Sequence, residues 1–216
     1  MNARIIDIAG EQVALLPQKA LYWARETTLI VADIHFGKAA AFRALGVPVP
    51  HGTTTQNLDA LDALMAVYPV TRIVFLGDFL HAKAAHAART LAAMVAWRAR
   101  HPALQLLLVR GNHDRHAGDP AGVLGIDLVD EPHVLGPFAL CHHPDIAADG
   151  YVLAGHVHPV FRLATRRDSV RLPCFVVGPT RMVLPSFGAF TGGHVVTALE
   201  RDRIYVATEE AVHLVG

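Results

Sequence analysis

Side chains that bind metals or transfer protons follow short apolar runs at five places in the sequence. They are Asp33 and His35 in "ADIHFG", Asp78 and His81 in "LGDFLH", Asn112, His113 and Asp114 in "RGNHD", His142 and His143 in "CHHPD", and His156 and His158 in "GHVH". Because ligands cluster beyond the carboxyl ends of strands in α/β folds, we expect these segments to converge. Imidazole is the commonest protein ligand for metals, so this set favours a metal site.

The mixture of donors indicates the class of metal. Imidazole, carboxylate and amide oxygen together suit Mn, Fe or Zn better than Ca or Mg. The candidates are too many for one tetrahedral zinc, whereas two cations bridged by one carboxylate would use them all. Residues two apart in an extended chain face the same side, so Asp33 with His35, and His156 with His158, could each approach one region.

Each motif taken alone also has a purely structural explanation. An Asp that follows a strand commonly caps a neighbouring segment, and "GNHD" contains residues that favour turns. "GHVH" is compatible with a half-exposed strand whose histidines are hydrogen-bonded. Five such motifs in succession make the metal site the better interpretation.

Alternating strands and helices would position these motifs. Apolar, β-rich runs at 28–38, 72–81 and 103–114 predict three buried strands, each running into a motif. Helical spacing at 55–67 and an Ala-rich segment at 85–100 predict the helices between them. From residue 133 on, short β-like runs predict a second sheet, at 137–142, 151–155, 160–165, 174–177, 181–184, 194–199, 203–207 and 211–215. Two sheets packed face to face with helices outside would form a single domain over 1–216.

Composition restricts the class of protein. The chain has 216 residues, of which 52% are hydrophobic, so intrinsic disorder is excluded. Nineteen basic and 19 acidic residues balance, so any contact with phosphate must be local. The start, "MNARIIDIAGEQVALL", lacks the pattern of a signal peptide, no apolar run is long enough to span a membrane, and two cysteines form no disulfide framework. We therefore expect a cytoplasmic protein that does not associate with membranes.

The ordered set "DIH", "GD", "GNHD", "H" and "GHVH" resembles the calcineurin-like metallophosphoesterase superfamily. The resemblance spans residues 33 to 158. It implies a four-layer αββα sandwich of two mixed β-sheets flanked by helices, with two metals between the loops.

The resemblance also implies a role for each motif residue. Asp33, His35 and His158 would hold one metal, Asn112, His142 and His156 would hold the other, and Asp78 would bridge them. His142 is selected over His143 because the H-x-P form of the motif puts the ligand two before Pro144, and strand alternation would turn the two rings in opposite directions. His113 would be a catalytic histidine beside the substrate phosphate, oriented by Asp114.

A closer resemblance covers nearly the whole chain. "ADIHFGKAAAFRALGVPVP", "LGDFLH", "GNHDR" and "LPSFGAFTGG" are similar to the ligase-associated DNA-damage-response endonuclease branch of the superfamily. That branch implies a manganese-dependent phosphodiesterase that cuts DNA in bacterial repair, and a functional association with a DNA ligase, a helicase and an exonuclease.

Residues near the motifs are candidates for substrate contacts. Lys38, Arg43 and Arg115 follow metal motifs, and Arg162, Arg166, Arg167 and Arg171 flank an apparent turn after "GHVHP". The arginines of this hairpin would contact DNA phosphates if it borders the site, although a solvated hairpin is the commoner explanation. Phe36, Phe42, Phe187 and Phe190 are candidates to stack on single-stranded bases, or else belong to the core. His81 would either contact phosphate or be a solvated loop residue, and "FGAFTGG" would form turns or a wall of the site.

Three functions compete at this stage. The first is a DNA endonuclease in which two metals lower the pKa of a bridging water, whose hydroxide attacks phosphorus. The second is a phosphodiesterase or phosphatase for small nucleotides, which would use the same metal site. The third is a non-catalytic interaction module, which the intact motifs disfavour.

Overall fold

The computed structural model describes residues 2–49, 52–164 and 168–215. Two mixed β-sheets pack against each other, and helices cover one of them. Among the described residues, no helix combines the length and the apolar composition that a membrane-spanning segment needs.

The first sheet has seven strands in chain order. They are β1 (Arg4–Ile8), β2 (Glu11–Leu16), β3 (Ala20–Trp23), β4 (Thr28–Ala32), β5 (Arg72–Leu76), β6 (Gln105–Val109) and β7 (Ile126–Val129). Neighbours are antiparallel from β1 to β4 and parallel from β4 to β7. The carboxyl ends of β4, β5 and β6 therefore meet at one edge, which is also where the turn between β2 and β3 lies.

Four α-helices follow strands of this sheet. They are α1 (Lys38–Ala44), α2 (Thr53–Met65), α3 (Ala88–Arg100) and α4 (Asn112–Ala117), with short 3-10 helices at Ala24–Glu26, Lys83–His86 and Gly122–Leu124. The Ala-rich segment is thus divided into a 3-10 turn and α3. Parallel strands joined by α2 and α3 agree with the alternating pattern predicted for the first half.

The second sheet is formed by the second half of the chain. Its strands are β8 (His133–Leu135), β9 (Phe138–Leu140), β10 (Tyr151–Ala154), β11 (Pro159–Ala164), β12 (Ser169–Val177), β13 (Arg181–Val183), β14 (His194–Val195), β15 (Arg203–Ala207) and β16 (Val212–Leu214). The order along the sheet is β14-β11-β12-β13-β10-β9-β8, and β15 pairs with β12 and β16. β10 lies parallel to both β9 and β13, so the loops after β9 and β10 leave the sheet on the same side.

Two cores hold the layers together. Leu61 and Trp97 pack from the helices onto the outer face of the first sheet. Ile30 and Val74 point the other way and pack against residues of the second sheet such as Phe175. All five residues of β4 are buried, because a strand covered on both faces has no solvent-facing side.

The predicted α/β fold of two mixed sheets is confirmed, but the fourth layer differs. No described residue after Leu124 belongs to a helix, so the outer face of the second sheet lacks the helical cover that was expected. Ile146 and Ala148, from the loop after β9, pack on part of that face instead. The connections in the second half are short and carry no helical apolar period, so they cannot build a helix of useful length.

Candidate metal centre

Hydrogen bonds join the loops that carry four of the five motifs. The backbone N–H of His35 donates to the carbonyl of Asp78 at 2.9 Å. The N–H of His113 donates to Asp78 Oδ1 at 3.0 Å, and that of His156 donates to Asp33 Oδ2 at 2.9 Å. A backbone carbonyl therefore joins the ends of β4 and β5, and two buried carboxylates join these to the ends of β6 and β10.

Five of the seven predicted metal ligands have a left-handed backbone. Their φ angles are 52° at Asp33, 50° at His35, 47° at Asp78, 69° at His156 and 50° at His158. A non-glycine residue in this region costs about 1–3 kcal/mol and persists only where the surroundings enforce it. The backbone thus turns sharply at each of these five ligands.

The first cluster of donors contains four predicted ligands. The donor atoms of Asp33, His35, Asp78 and His158 all lie within 4.8 Å of one another. His158 Nε2 is 3.5 Å from Asp33 Oδ2, and His35 Nε2 is 3.4 Å from His158 Nε2. His35 Nε2 also lies 3.8 Å from Asp78 Oδ2, so this oxygen of Asp78 faces the first cluster.

The second cluster surrounds His142 Nε2. That atom lies 2.8 Å from Asn112 Oδ1, 3.0 Å from His156 Nδ1 and 3.5 Å from Asp78 Oδ1. Asp78 therefore directs one oxygen to each cluster. The carbonyl of Leu76, 3.4 Å from His142 Nδ1, accepts the proton of that nitrogen and leaves Nε2 with its lone pair for a metal.

His142 and His143 do not turn in opposite directions as strand alternation predicts. Both rings lie against His156, with centroid distances of 4.8 Å and 4.5 Å. The alternation argument fails because β9 ends at Leu140, so neither residue is in a strand. His142 is fully buried, whereas the His143 side chain is 32% exposed.

Glu131 fixes this histidine pair, and sequence reasoning missed it. Glu131 Oε2 accepts the backbone N–H groups of His142 at 2.7 Å and His143 at 2.8 Å. Its other oxygen, Oε1, lies 2.7 Å from His143 Nδ1. These hydrogen bonds lower the pKa of Glu131 against the opposing effect of burial. No motif marks Glu131, because it lies eleven residues before His142, in the segment between β7 and β8.

The electrostatics of the clusters fit bound cations. Burial, reinforced by the neighbouring Asp33, raises the pKa of Asp78 to about 8. Burial lowers the pKa of His35, and lowers that of His142 to about 4, so both imidazoles are neutral as metal ligands must be. Asp33 Oδ1 and His35 Nδ1 are buried without a hydrogen-bond partner in the described residues. Two buried carboxylates beside orphaned polar atoms are costly unless a cation compensates them.

Three glycines let the backbone approach the ligands closely. A Cβ on Gly77 would lie 1.9 Å from His142 Nδ1, and one on Gly111 would lie 2.3 Å from Asp78 Oδ1. A Cβ on Gly155 would lie 2.6 Å from Asp33 Oδ2. Each of these glycines directly precedes a motif residue, so its position in the sequence is a usable signal.

His113 is held by a different group from the one predicted. Its Nδ1 lies 2.7 Å from the carbonyl oxygen of His81, and its Nε2 lies 4.0 Å from Asp78 Oδ2. The His81 ring stacks on the His113 ring at 4.8 Å. Burial lowers the pKa of His81 to about 4. The prediction that Asp114 orients the His113 ring is therefore wrong, because the carbonyl of His81 makes the hydrogen bond to that ring.

Asp114 instead ties two loops together. Its carboxylate accepts the backbone N–H groups of Phe79 at 3.2 Å, Leu80 at 2.8 Å and Gly111 at 3.0 Å. The geometry has a simple cause, because adjacent residues on helix α4 do not face each other. Asp114 acts on the site by fixing the loop that contains Asp78.

Comparison with known proteins agrees with this geometry. A family model described as calcineurin-like phosphoesterase matches residues 27–156. The chain belongs to this family. It is a hydrolase that acts on phosphodiester bonds, its family uses a binuclear centre of divalent metals, and the two clusters provide the candidate ligands.

The phosphoesterase is also similar to solved structures. The nuclease MPE of Pseudomonas putida is 46% identical, with the alignment covering 99% of this chain and 100% of that one at a TM-score of 0.89. This similarity is consistent with the ligase-associated branch. A protein of unknown function from Aquifex aeolicus is 18% identical over 61% of this chain and 78% of its own, and its TM-score of 0.38 supports no conclusion. No curated protein sequence matches the chain.

The residues predicted to contact substrate differ in their position relative to the donor clusters. Lys38 lies near the carboxylates, since Asp33 and Asp78 oppose the lowering of its pKa by burial. Arg43 lines a separate small cavity with the start of α2. Arg115 is 3.6 Å from Asp130, and Arg162 is exposed on β11. Arg166 and Arg167 lie outside the described residues.

The four candidate phenylalanines divide into two pairs. Phe36 and Phe187 are buried in the core between sheet and helices. Phe42 and Phe190 are partly exposed, and their rings meet edge to face at 5.8 Å. Phe42 also lies 6.0 Å from the His81 ring, so this pair borders the metal clusters.

Proposed function

We propose that this phosphoesterase is a metal-dependent endonuclease that cuts single-stranded DNA. The observation that carries the proposal is that two donor clusters share Asp78, with His113 beside them. The similarity to the P. putida nuclease over 99% of the chain supports a nucleic acid as substrate.

Each cluster would hold one divalent cation, of which manganese is our first choice before iron or zinc. One cation would be held by Asp33, His35 and His158. The other would be held by Asn112, His142 and His156. Asp78 would contact both cations. The mixed nitrogen and oxygen donors fit these metals. Bound in this way, the cations supply Lewis-acid activation of water and neutralise charge on the phosphate.

His113 would be the proton donor. Its Nδ1 faces the carbonyl of His81, which can only accept, so Nδ1 carries a proton. The proton that moves is therefore the one on Nε2, the atom that lies on the Asp78 side. Protonated there, His113 would donate to a phosphate oxygen or to the leaving group. The stacked His81 ring keeps His113 in this orientation and would itself contact phosphate.

The remaining substrate contacts follow from charge and exposed aromatic surface. Lys38 would bind an oxygen of the phosphate being cut, since it is the candidate cation nearest the carboxylates. Arg43, Arg115 and Arg162 would contact other phosphates of the strand. Phe42 and Phe190 would stack on unpaired bases, which an intact duplex does not offer.

The biological role rests on resemblance. We propose that the enzyme acts in bacterial DNA repair, in functional association with a DNA ligase, a helicase and an exonuclease. A cytoplasmic location accords with the two buried, free cysteines, Cys141 and Cys174.

The test uses a substrate without ends. Metal-free protein is incubated with closed circular single-stranded DNA and, separately, with bis-p-nitrophenyl phosphate, and Mn, Mg, Zn or Ca is added. We expect manganese to support cutting of the circle, and His113→Ala to abolish it. Hydrolysis of the small ester with the circle intact would establish the small-nucleotide phosphodiesterase instead. Inactivity on both substrates with metal bound would contradict the proposal and favour a non-catalytic module.

A further inference from the structure

A cavity of about 370 Å³ opens beside the first donor cluster. His158, which belongs to the first donor cluster, forms part of its wall. The turn before β3 contributes Lys19, β12 contributes Arg171, and the loop after β13 contributes Ser186 and Thr191. The cavity and the first donor cluster therefore share one residue.

The charge of the cavity is positive. Lys19 and Arg171 line it, and none of the described residues in its wall is acidic. Lys19 Nζ donates to the carbonyls of Phe187 at 2.9 Å and Gly188 at 3.5 Å, and an ammonium has three donors, so it retains an N–H for a ligand. Burial without a carboxylate partner lowers the pKa of Lys19 to about 8.

A second pair of positive charges adds to the positive electrostatic potential of the cavity. Arg162 and Arg171 are directly opposite each other on the antiparallel strands β11 and β12, and both are exposed. Like charges in this relationship repel and destabilise the pair of strands. A bound anion would remove that cost.

The wall formed by the loop 186–193 is packed tightly. A Cβ on Gly193 would lie 2.6 Å from the carbonyl oxygen of His158, and one on Gly188 would lie 2.8 Å from that of Ile34. These contacts fix the loop against two metal motifs. Thr191 Oγ1 is buried without a hydrogen-bond partner in the described structure, so the wall carries an unused donor.

A cavity on the other side of Val157 differs in charge. It has a volume of about 330 Å³ and is lined by Asp145 and Asp202 as well as Arg181. Its two carboxylates disfavour a phosphate. Of the two cavities that Pro159 helps to line, the one that contains Lys19 is therefore suited to an anion.

We propose that the cavity lined by Lys19, Arg171 and Thr191 is a subsite for a phosphate of the DNA strand next to the phosphate that is cut. The inference rests on the proposed function, and it explains how the enzyme would select a polynucleotide over a substrate with one phosphate. A substrate with a single phosphate fills the metal centre only, whereas a strand also neutralises Lys19 and Arg171.

The experiment compares two substrates in the manganese-loaded enzyme over a range of salt concentrations. Wild type, Lys19→Met, Lys19→Arg, Arg171→Gln and Arg100→Gln are assayed for kcat/KM on single-stranded circular DNA and on bis-p-nitrophenyl phosphate. Arg100 is the control, because it is paired with Asp62 at the opposite edge of the sheet. Contact with one phosphate of a single strand contributes about 0.7 to the slope of log affinity against log salt.

We expect Lys19→Met and Arg171→Gln to lower the ratio of DNA to small-ester kcat/KM by about 10-fold, and to reduce the salt slope by about 0.7 each. Lys19→Arg should retain both values, and Arg100→Gln should match the wild type. An equal loss on both substrates would mean that Lys19 only holds the loop 186–193, and an unchanged ratio and slope would exclude the subsite. A wild-type enzyme that hydrolyses the small ester but never cuts the circle would overturn the proposed function itself.

Discussion

Asp78 Oδ1 accepts a hydrogen bond from the backbone N–H of His113 at 3.0 Å, while Asp78 Oδ2 lies 4.0 Å from Nε2 of the same histidine. One carboxylate thus fixes the start of α4 and faces both donor clusters. Because Asp78 and Asp33 are both buried, ionising Asp78 beside Asp33 is unfavourable in the metal-free fold, which raises the pKa of Asp78.

Replacing Asp78 by Asn should separate metal binding from folding. The amide retains the shape and one acceptor but cannot ionise, so Asp78→Asn avoids the cost of a buried charge and should fold with a metal-free Tm at or above that of the wild type. It should bind fewer cations per chain and lose activity by more than about 100-fold, the scale expected for removal of a group that stabilises charge. Metal content by mass spectrometry and Tm with and without manganese measure this. Asp127→Asn, at an exposed carboxylate, is the control, and two bound cations with normal activity in Asp78→Asn would contradict the bridging role.

His142 and His143 should differ sharply in their contribution to metal binding. His142 is fully buried with Asn112 and His156 around its Nε2, whereas Nδ1 of His143 is engaged by Glu131. We expect His142→Gln to abolish binding of one cation and His143→Gln to weaken it only several-fold. Titration calorimetry with manganese on the two variants measures the difference. The opposite order would make His143 the ligand.

Glu131 should act on the metal through the histidine pair. Glu131→Gln retains one acceptor but removes the charge that receives two backbone N–H groups and the His143 ring. Such outer partners typically contribute 10–100-fold to metal affinity. We therefore expect a loss of about that size in manganese affinity with little change in Tm of the metal-free protein. Glu209→Gln, at an exposed glutamate, should match the wild type, and an unchanged affinity in Glu131→Gln would refute the role.

Gly111 offers a purely steric test, because its φ of −94° is accessible to any residue. A methyl group there would meet Asp78 Oδ1 at 2.3 Å, while one on Gly122 would meet nothing within 4 Å. Gly111→Ala should displace Asp78 and reduce metal content and activity by at least about 10-fold. Gly122→Ala should leave both unchanged. Equal behaviour of the two variants would show that close approach of the backbone at Gly111 is not required.

Lys19 should make stability depend on pH in a known direction. Burial lowers its pKa in the folded protein to about 8 from 10.5, so the unfolded chain holds the proton more tightly. The free energy of unfolding therefore rises with pH between 8 and 10.5. The contribution of the neutral Lys19 side chain to it is complete above pH 10.5 and is lost as the pH falls through 8. Urea unfolding should thus show wild type gaining stability relative to Lys19→Met between these pH values. Lys83→Met, at an exposed lysine, should show no such difference from wild type, and a flat difference for Lys19 would disprove its burial.

Much of the site could be predicted because its residues are directly tied to strand ends. The strands β4, β5 and β6 are buried on both faces, so their sequences are continuous apolar runs and the polar residues after them are conspicuous. Parallel pairing then brings those residues to one edge. The predicted ligands converge for this reason.

The extended-strand spacing that predicted how the paired ligands face one region was less accurate. Asp33 and His35 reach one cluster through left-handed backbone, not through the extended alternation that was assumed, and His156 and His158 serve different clusters. Single-residue turns of this kind depend on tertiary hydrogen bonds such as that from His156 to Asp33, which no local pattern records. Lys19 could not be predicted at all, since its relation to the site arises only when the two sheets pack.

The site draws its donors from both sheets, and the order of those donors along the chain has a consequence for biosynthesis. His35 and His158 lie 3.4 Å apart but are separated by 123 positions, with the second sheet's first strands between them. A nascent chain on the ribosome therefore holds an incomplete set of donors until most of its length has emerged. The complete set of donors, and with it the hydrolytic activity, can therefore form only late in synthesis.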